Sequence, residues 1–201
     1  TRALYRGIME DIYSTYTTAA TGTAFPFTDV AESRWSYPYI KELYDAGVVS
    51  GTSATTFSPA ANVTRAQLVT MLAGLAGADV SNCPATPFRD VPEGAWYAPY
   101  VNWALANGIV SGTSAVTFSP DASITRQDMA VMLYSYTQRF QVHLQQQPVT
   151  PFTDAGSIAA YAQIAVQTLQ RAGVISGMPD GSFQPYGTAT REQACTMLCM
   201  L

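Results

Sequence analysis

Val63-Thr64-Arg65 returns as Ile124-Thr125-Arg126 and again as Ala189-Thr190-Arg191. The first two arginines stand 61 positions apart, and the second and third 65. Other blocks recur around each copy in the same order. Phe27-Thr28-Asp29-Val30 is matched by Phe88-Arg89-Asp90-Val91 and Phe152-Thr153-Asp154-Ala155. Gly47-Val48-Val49-Ser50-Gly51 is matched by Gly108-Ile109-Val110-Ser111-Gly112 and Gly173-Val174-Ile175-Ser176-Gly177. Phe57-Ser58-Pro59 is matched by Phe118-Ser119-Pro120 and Phe183-Gln184-Pro185. Self-similarity at a near-constant period means that one supersecondary unit is used three times.

Each unit reads as two helices joined by a Gly-marked connection. The first helix follows the Phe-x-Asp block and carries apolar residues at helical spacing: Tyr39, Ile40, Leu43 and Tyr44 in the first copy. Gly47, Gly108 and Gly173 stop it, as a glycine in a left-handed C-terminal cap does. The Phe-x-Pro stretch is predicted to be extended, because the residue before a proline avoids the helical region. Thr64, Thr125 and Thr190 are predicted N-caps of the second helix. Gln67 and Gln193, three residues on, complete a capping box in two of the three copies, with Asp128 in the remaining one. Apolar residues at +4, +7, +8 and +11 from the Thr (Leu68, Met71, Leu72 and Leu75 in the first copy) predict one buried face.

This spacing divides the chain into repeats at 25–80, 86–142 and 150–201, joined by Asp79–Pro87 and Gln141–Pro151. Residues 1–24 are predicted to be an amphipathic helix and a small-residue linker. Tyr5, Ile8, Met9 and Ile12 follow Thr1 at the offsets of a second helix. That segment is read either as the end of an earlier repeat or as an unrelated helix filling the core.

Composition excludes several classes. With 48% hydrophobic and 12% charged residues, the 201-residue chain is neither disordered nor a coiled coil. It has no run of 18 apolar residues, so no membrane-spanning helix is expected. A net charge of −4 argues against nucleic acid. Nine of the ten bases are Arg, the side chain suited to bidentate carboxylate recognition. Cys83, Cys195 and Cys199 are no disulfide framework and read as buried thiols. His143, the sole histidine, falls in the polar Gln141–Gln147 linker with no recurring Ser or Cys partner, so no Ser-His-Asp or Cys-His machinery, metal site or cofactor is expected.

Taken in order, these blocks resemble the S-layer homology family over residues 25–201. The resemblance implies an all-α fold of three helix-loop-helix repeats in a pseudo-threefold, three-lobed spindle around a central helical bundle. It implies a non-enzymatic module that anchors bacterial surface proteins, outside the cell, to a secondary cell-wall polymer ending in pyruvylated N-acetylmannosamine. It further implies ligand grooves between lobes, lined by Arg65, Arg126 and Arg191, by Trp35, Trp96 and the matching Tyr161, and by the loops Ser50-Gly51, Ser111-Gly112 and Ser176-Gly177. Two other readings stand beside it: a carrier for a wall-active enzyme lying outside this chain, and a structural or adhesin segment without working grooves.

The residues themselves leave alternatives open. An Arg at the first helical position opposes the helix dipole at a cost of about 0.3–1 kcal/mol, which points to an anionic partner for each. That partner is either a ligand carboxylate, held together with free helix N–H groups, or the Phe-x-Asp carboxylate of Asp29, Asp90 or Asp154. Those aspartates, counted with the ligand-binding residues, are equally readable as N-caps of the first helix. Trp35 and Trp96 are readable as sugar platforms or as core, whereas Trp103, with Glu42 at its counterpart, reads as packing. The Ser-Gly turns offer close approach to a ligand, or simply need a positive φ.

Overall fold

Gly47, Gly108 and Gly173 take φ values of +71°, +69° and +75°, and each closes a helix in the predicted way. In the first copy Gly47 N–H donates to Tyr44 O and Val48 N–H to Leu43 O, the paired bonds of a left-handed C-terminal cap. The computed structural model of the protein describes residues 25–201; the helix expected over residues 1–18 lies outside them. The described helices are α1 (Tyr37–Asp45), α2 (Arg65–Leu75), α3 (Ala98–Ala106), α4 (Arg126–Arg139), α5 (Gln163–Arg171) and α6 (Arg191–Cys199). A 3-10 turn at Ala155–Ser157 follows Asp154, where the third repeat carries one residue more before its aromatic than the other two. Among the described residues there is no sheet, only isolated bridges, so the chain is all-α.

The sequence repeat is not the packing unit. Helix α2 packs on α3, α4 on α5, and α6 on α1, so the second helix of each repeat holds the first helix of the next. The last repeat returns to the first. Helix α2 also touches α4 and α6. This arrangement corrects the expectation of a single buried face on the second helices. In α2, Val69 and Ala73 are buried along with Leu68, Met71 and Leu72, because neighbours cover more than one side. The outer helices keep one stripe, Ile40 and Leu43 in α1 and Ala165, Val166 and Leu169 in α5.

Backbone hydrogen bonds repeat the same circular order. Val63 N–H donates to Ala189 O at 2.9 Å, Ala189 N–H to Ile124 O at 3.2 Å, and Ile124 N–H to Val63 O at 3.0 Å. Three residues distant in sequence therefore form one closed cycle just before the N-caps. Bridges Thr64–Ser123, Thr125–Thr188 and Asn62–Thr190 surround it.

The Phe-x-Pro segments depart from the predicted extended form. Ser58, Ser119 and Gln184 have φ of 59°, 58° and 56°, left-handed values that cost a non-glycine residue about 1–2 kcal/mol. The cause is the Phe-x-Asp carboxylate. Asp29 accepts the N–H of Phe57 at 2.8 Å and of Ser58 at 2.7 Å, and Asp90 and Asp154 do the same in their repeats. Two charge-assisted bonds, each worth about 1.5–3 kcal/mol, outweigh the strain. Both sequence readings of these aspartates are thereby corrected. The residues preceding α1, α3 and α5 are Ser36, Tyr97 and Ala162, and no Asp caps those helices.

Candidate functional site

Thr64, Thr125 and Thr190 cap α2, α4 and α6 through their side chains, with full capping boxes at Gln67 and Gln193. The next residue in each case is the recurrent Arg. Its backbone N–H, and that of the residue after it, are already paired. Arg65 N–H donates to Ala122 O and Ala66 N–H to Pro120 O, both at 3.0 Å. Arg126 and Gln127 use Gly187 and Pro185, and Arg191 and Glu192 use Ala61 and Pro59. The helix N-termini therefore hold no free N–H pair for a carboxylate, which corrects that part of the sequence reading. Neighbouring carbonyls reached them first.

The three Arg side chains follow one plan. Arg65 Nε donates to Phe118 O at 2.8 Å and Nη2 to Ser111 O at 3.1 Å. Arg126 donates to Phe183 O and Ser176 O, and Arg191 to Phe57 O and Ser50 O. Each guanidinium also lies 4.5–5.0 Å from the centroid of that same Phe ring. The electrostatic partner of each Arg is thus a pair of carbonyl dipoles and a π face in the next repeat, and no ion pair joins it to Asp29, Asp90 or Asp154 among the described residues. Burial lowers all three guanidinium pKa values, which leaves them charged at physiological pH. Two of five donors are engaged, and Nη1 has no protein acceptor among the described residues.

Arg65 and Arg191 each line a groove made by three repeats. One groove, of about 420 Å³, joins Arg65, the loop Ser111-Gly112, Asp128 and Met132 of α4, and Tyr161. A second, of about 240 Å³, joins Arg191, the loop Ser50-Gly51, Gln67 and Met71 of α2, and Trp96. Arginine, loop and rim aromatic come from successive repeats in both. In the remaining joint Arg126 reaches Ser176, beside Gly177. There Arg34 and Ser36, which flank Trp35, both bond Glu192 at the start of α6.

Trp35, Trp96 and Tyr161 are 56%, 60% and 62% exposed, so none is core. Trp103 is buried and stacks with Phe140, as expected of packing. Gly51, Gly112 and Gly177 do not have positive φ. A Cβ on Gly51 would lie 2.4 Å from the Phe27 ring and from Ser53 O; one on Gly112 would meet Ser114 O at 2.2 Å. These glycines let the loop close on its own Phe-x-Asp ring. Cys195 is a buried thiol, its pKa pushed up to about 12 by burial, while Cys83 and Cys199 are only half-buried.

Several pairings here carry no recurrent signal and escaped the sequence reading. Glu192 accepts both Arg34 Nε at 2.7 Å and Arg34 Nη2 at 2.8 Å, plus Ser36 Oγ at 2.6 Å. Burial pushes the Glu192 pKa up, but these donors win and hold it below the ordinary value. In the Arg65 groove, Tyr161 donates to Asp128 Oδ1 at 2.7 Å, and Gln127 Nε2 donates to the Tyr161 oxygen at 3.1 Å. Burial of the phenol oxygen, with the Asp128 bond and charge, pushes Tyr161 up to about 12. A search keyed to repetition passes over such pairs, because each exists in one joint only.

The sequence profile of the S-layer homology domain matches residues 26–69, 87–130 and 151–195. The chain is 39% identical over 191 residues to an endoglucanase of Bacillus sp. (strain KSM-635), covering 94% of this chain and 20% of that protein. It is 26% identical over 198 residues to an S-layer protein of Bacillus thuringiensis subsp. finitimus, covering 98% and 23%. It is 29% identical over 146 residues to a cellulosome-anchoring protein of Acetivibrio thermocellus, covering 71% and 32%. The chain therefore spans a third or less of each of these relatives.

Proposed function

The chain belongs to the S-layer homology family and is a cell-surface module, and from that premise we propose that it anchors non-covalently to a secondary cell-wall polysaccharide carrying pyruvylated N-acetylmannosamine. The observation that carries this reading is the Arg arrangement. Arg65, Arg126 and Arg191 are each fixed by two carbonyls, and Arg65 and Arg191 line grooves that also hold an exposed aromatic, Tyr161 and Trp96. A pyruvate ketal puts a carboxylate on a sugar ring. A carboxylate takes the remaining guanidinium N–H groups of the Arg it reaches, and the sugar rings of the polymer lie on Trp35, Trp96 and Tyr161. The loops at Ser50-Gly51, Ser111-Gly112 and Ser176-Gly177 supply main-chain groups beside it. Asp29, Asp90 and Asp154 act one step back, fixing the loop whose carbonyl fixes the Arg. We read the circular joints as the pseudo-threefold, three-lobed arrangement of the family.

On this reading the chain binds and does not catalyse. Its Phe-x-Asp carboxylates and Glu192 are engaged in holding loops and joints. The endoglucanase is about five times the length of the match, which favours a cargo domain elsewhere in the protein as what the module carries. The test is sedimentation with purified cell walls, before and after chemical removal of the polymer's pyruvate. Binding is expected to the first and not to the second; equal binding to both would overturn the carboxylate assignment.

A further inference from the structure

The grooves on Arg65 and Arg191 share a plan but not a charge. In the Arg191 groove the residue three past the cap is Gln67, whose Oε1 accepts the Thr64 backbone N–H at 3.1 Å. Its amide NH2 is left as a donor. In the Arg126 joint Gln193 does the same with Thr190. In the Arg65 groove that position is Asp128, one carbon shorter. Its carboxylate instead takes the hydroxyls of Thr125, at Oδ2, and Tyr161, at Oδ1, both at 2.7 Å. Each oxygen keeps a lone pair for a further donor. A negative charge thus lines the groove in which a ligand carboxylate would lie, and opposes it.

Beside this groove, outside its lining, stands further aromatic surface. Pro185 O and Gly187 O bond the backbone N–H groups of Gln127 and Arg126, which sets Tyr186 between them at the first turn of α4. Tyr161 reaches that turn through Gln127 and Asp128. Two tyrosines, 62% and 66% exposed, therefore flank one helix start. The counterparts of Tyr186 are Ala60 and Asp121, so the pair is peculiar to this joint. The Tyr161 ring is fixed by its hydroxyl and makes a rigid platform. Carboxylate acceptors for hydroxyl groups together with flat aromatic faces suit an uncharged pyranose. An Arg with neutral amide donors suits an anionic one.

Resting on the anchoring role proposed above, we infer that the joints between repeats divide the polymer between them. The Arg65 groove, lined by Asp128 and Tyr161 with Tyr186 beside it, takes an uncharged sugar unit, and the Arg191 groove and the matching Arg126 joint take the pyruvylated unit. Arg65 here serves chiefly to hold the Ser111 loop, its charge offset by Asp128.

The test uses the full 201-residue chain, isotopically labelled, titrated with an N-acetylmannosamine disaccharide and with its pyruvylated form while amide NMR signals are followed. The neutral sugar is expected to shift Ser111 and Gly112, and the pyruvylated sugar Ser50, Gly51, Ser176 and Gly177. Asp128→Asn, which removes the charge and keeps one oxygen as acceptor for one of the two hydroxyls, is expected to admit the pyruvylated sugar to the Ser111 loop, with an affinity gain of about tenfold or more. Tyr186→Ala, an exposed change that leaves the fold alone, is expected to weaken neutral-sugar binding by about threefold to tenfold. Pyruvylated sugar bound equally at Ser111 and Ser50 in the unaltered chain, or neutral sugar absent from Ser111, would overturn the division. So would an Asp128→Asn chain with unchanged preference. If the pyruvylated sugar shifts no groove while the neutral one still shifts Ser111, the uncharged-sugar assignment stands, and the anchoring chemistry proposed for the other two joints fails.

Discussion

Ala66 and Glu192 occupy the same step of the second helix in repeats one and three, yet only Glu192 binds the next repeat through charge. The backbone contacts at the two joints are alike, with Ala66 N–H on Pro120 O and Glu192 N–H on Pro59 O, both at 3.0 Å. The joints differ in how far the chain must travel to make them. The Arg65–Ser111 bond spans 46 residues and the Arg191–Ser50 bond 141. Closing the longer loop costs about 1 kcal/mol more. The joint with the larger entropic handicap is the one reinforced by a bidentate ion pair and the buried Ser36. Between them stands the Gln127 joint, held by neutral hydrogen bonds to Tyr161 and Ala159. Side-chain strength at this step thus tracks the difficulty of ring closure only at its end.

The strongest challenge to the comparison is truncation of the shared Arg. Arg65→Ala, Arg126→Ala and Arg191→Ala each remove two charge-assisted bonds and strand two carbonyls, so each is expected to cost about 3 kcal/mol or more in urea unfolding. Wall binding falls with stability, because one side chain does both jobs. A variant that keeps its full stability and loses only binding would show the floor of the groove to be free of structural duty.

Glu192→Ala is expected to cost about 2 kcal/mol, since it strands the buried Ser36 hydroxyl while Arg34 stays partly solvated. Gln127→Ala is expected to cost about half of that. A calorimetric series in which the Gln127 variant melts lower than the Glu192 variant would reverse the ranking of the joints.

Acid titration sharpens the same point. Glu192, held down by Arg34 and Ser36, and Asp90, held down by the Phe118 and Ser119 N–H groups, both sit below their ordinary pKa despite burial. A depressed carboxylate contributes stability above its unfolded pKa and loses it as pH falls through the folded one. Stability is therefore expected to be level above about pH 5 and to decline below about pH 4.5. Glu192→Gln should make that decline shallower; an unaltered acid limb would remove Glu192 from the account.

The smallest effect on folding is expected at the rims. Trp35→Ala and Trp96→Ala expose little new surface and should change stability by less than about 0.5 kcal/mol. Tyr161→Phe, which releases Asp128 and Gln127, should cost about 1 kcal/mol. Titration of the two Trp variants with the pyruvylated disaccharide is expected to show several-fold weaker binding at an unchanged melting temperature.

Local chemistry was legible in the sequence wherever a residue acts on its own neighbours. Thr64 and Thr190 with their Gln at +3, and the three glycines ending α1, α3 and α5, work within five residues, so order along the chain determines them. The threefold recurrence determined the all-α class, and the likeness of its blocks to a known family led to the candidate arginines and aromatics. What each Arg touches was decided by tertiary structure. Its partners lie 46 to 141 residues away in the following repeat, and nothing local distinguishes a carbonyl acceptor from a carboxylate one. The left-handed Ser58, Ser119 and Gln184 escaped for the same reason, because a carboxylate some 29 residues distant overrides the preference before proline. The Arg34–Glu192 pair and the Asp128–Tyr161 bond are the clearest cases. Each joins groups from different repeats in a combination of residues that does not recur, so only the folding of one repeat against the next brings them within reach.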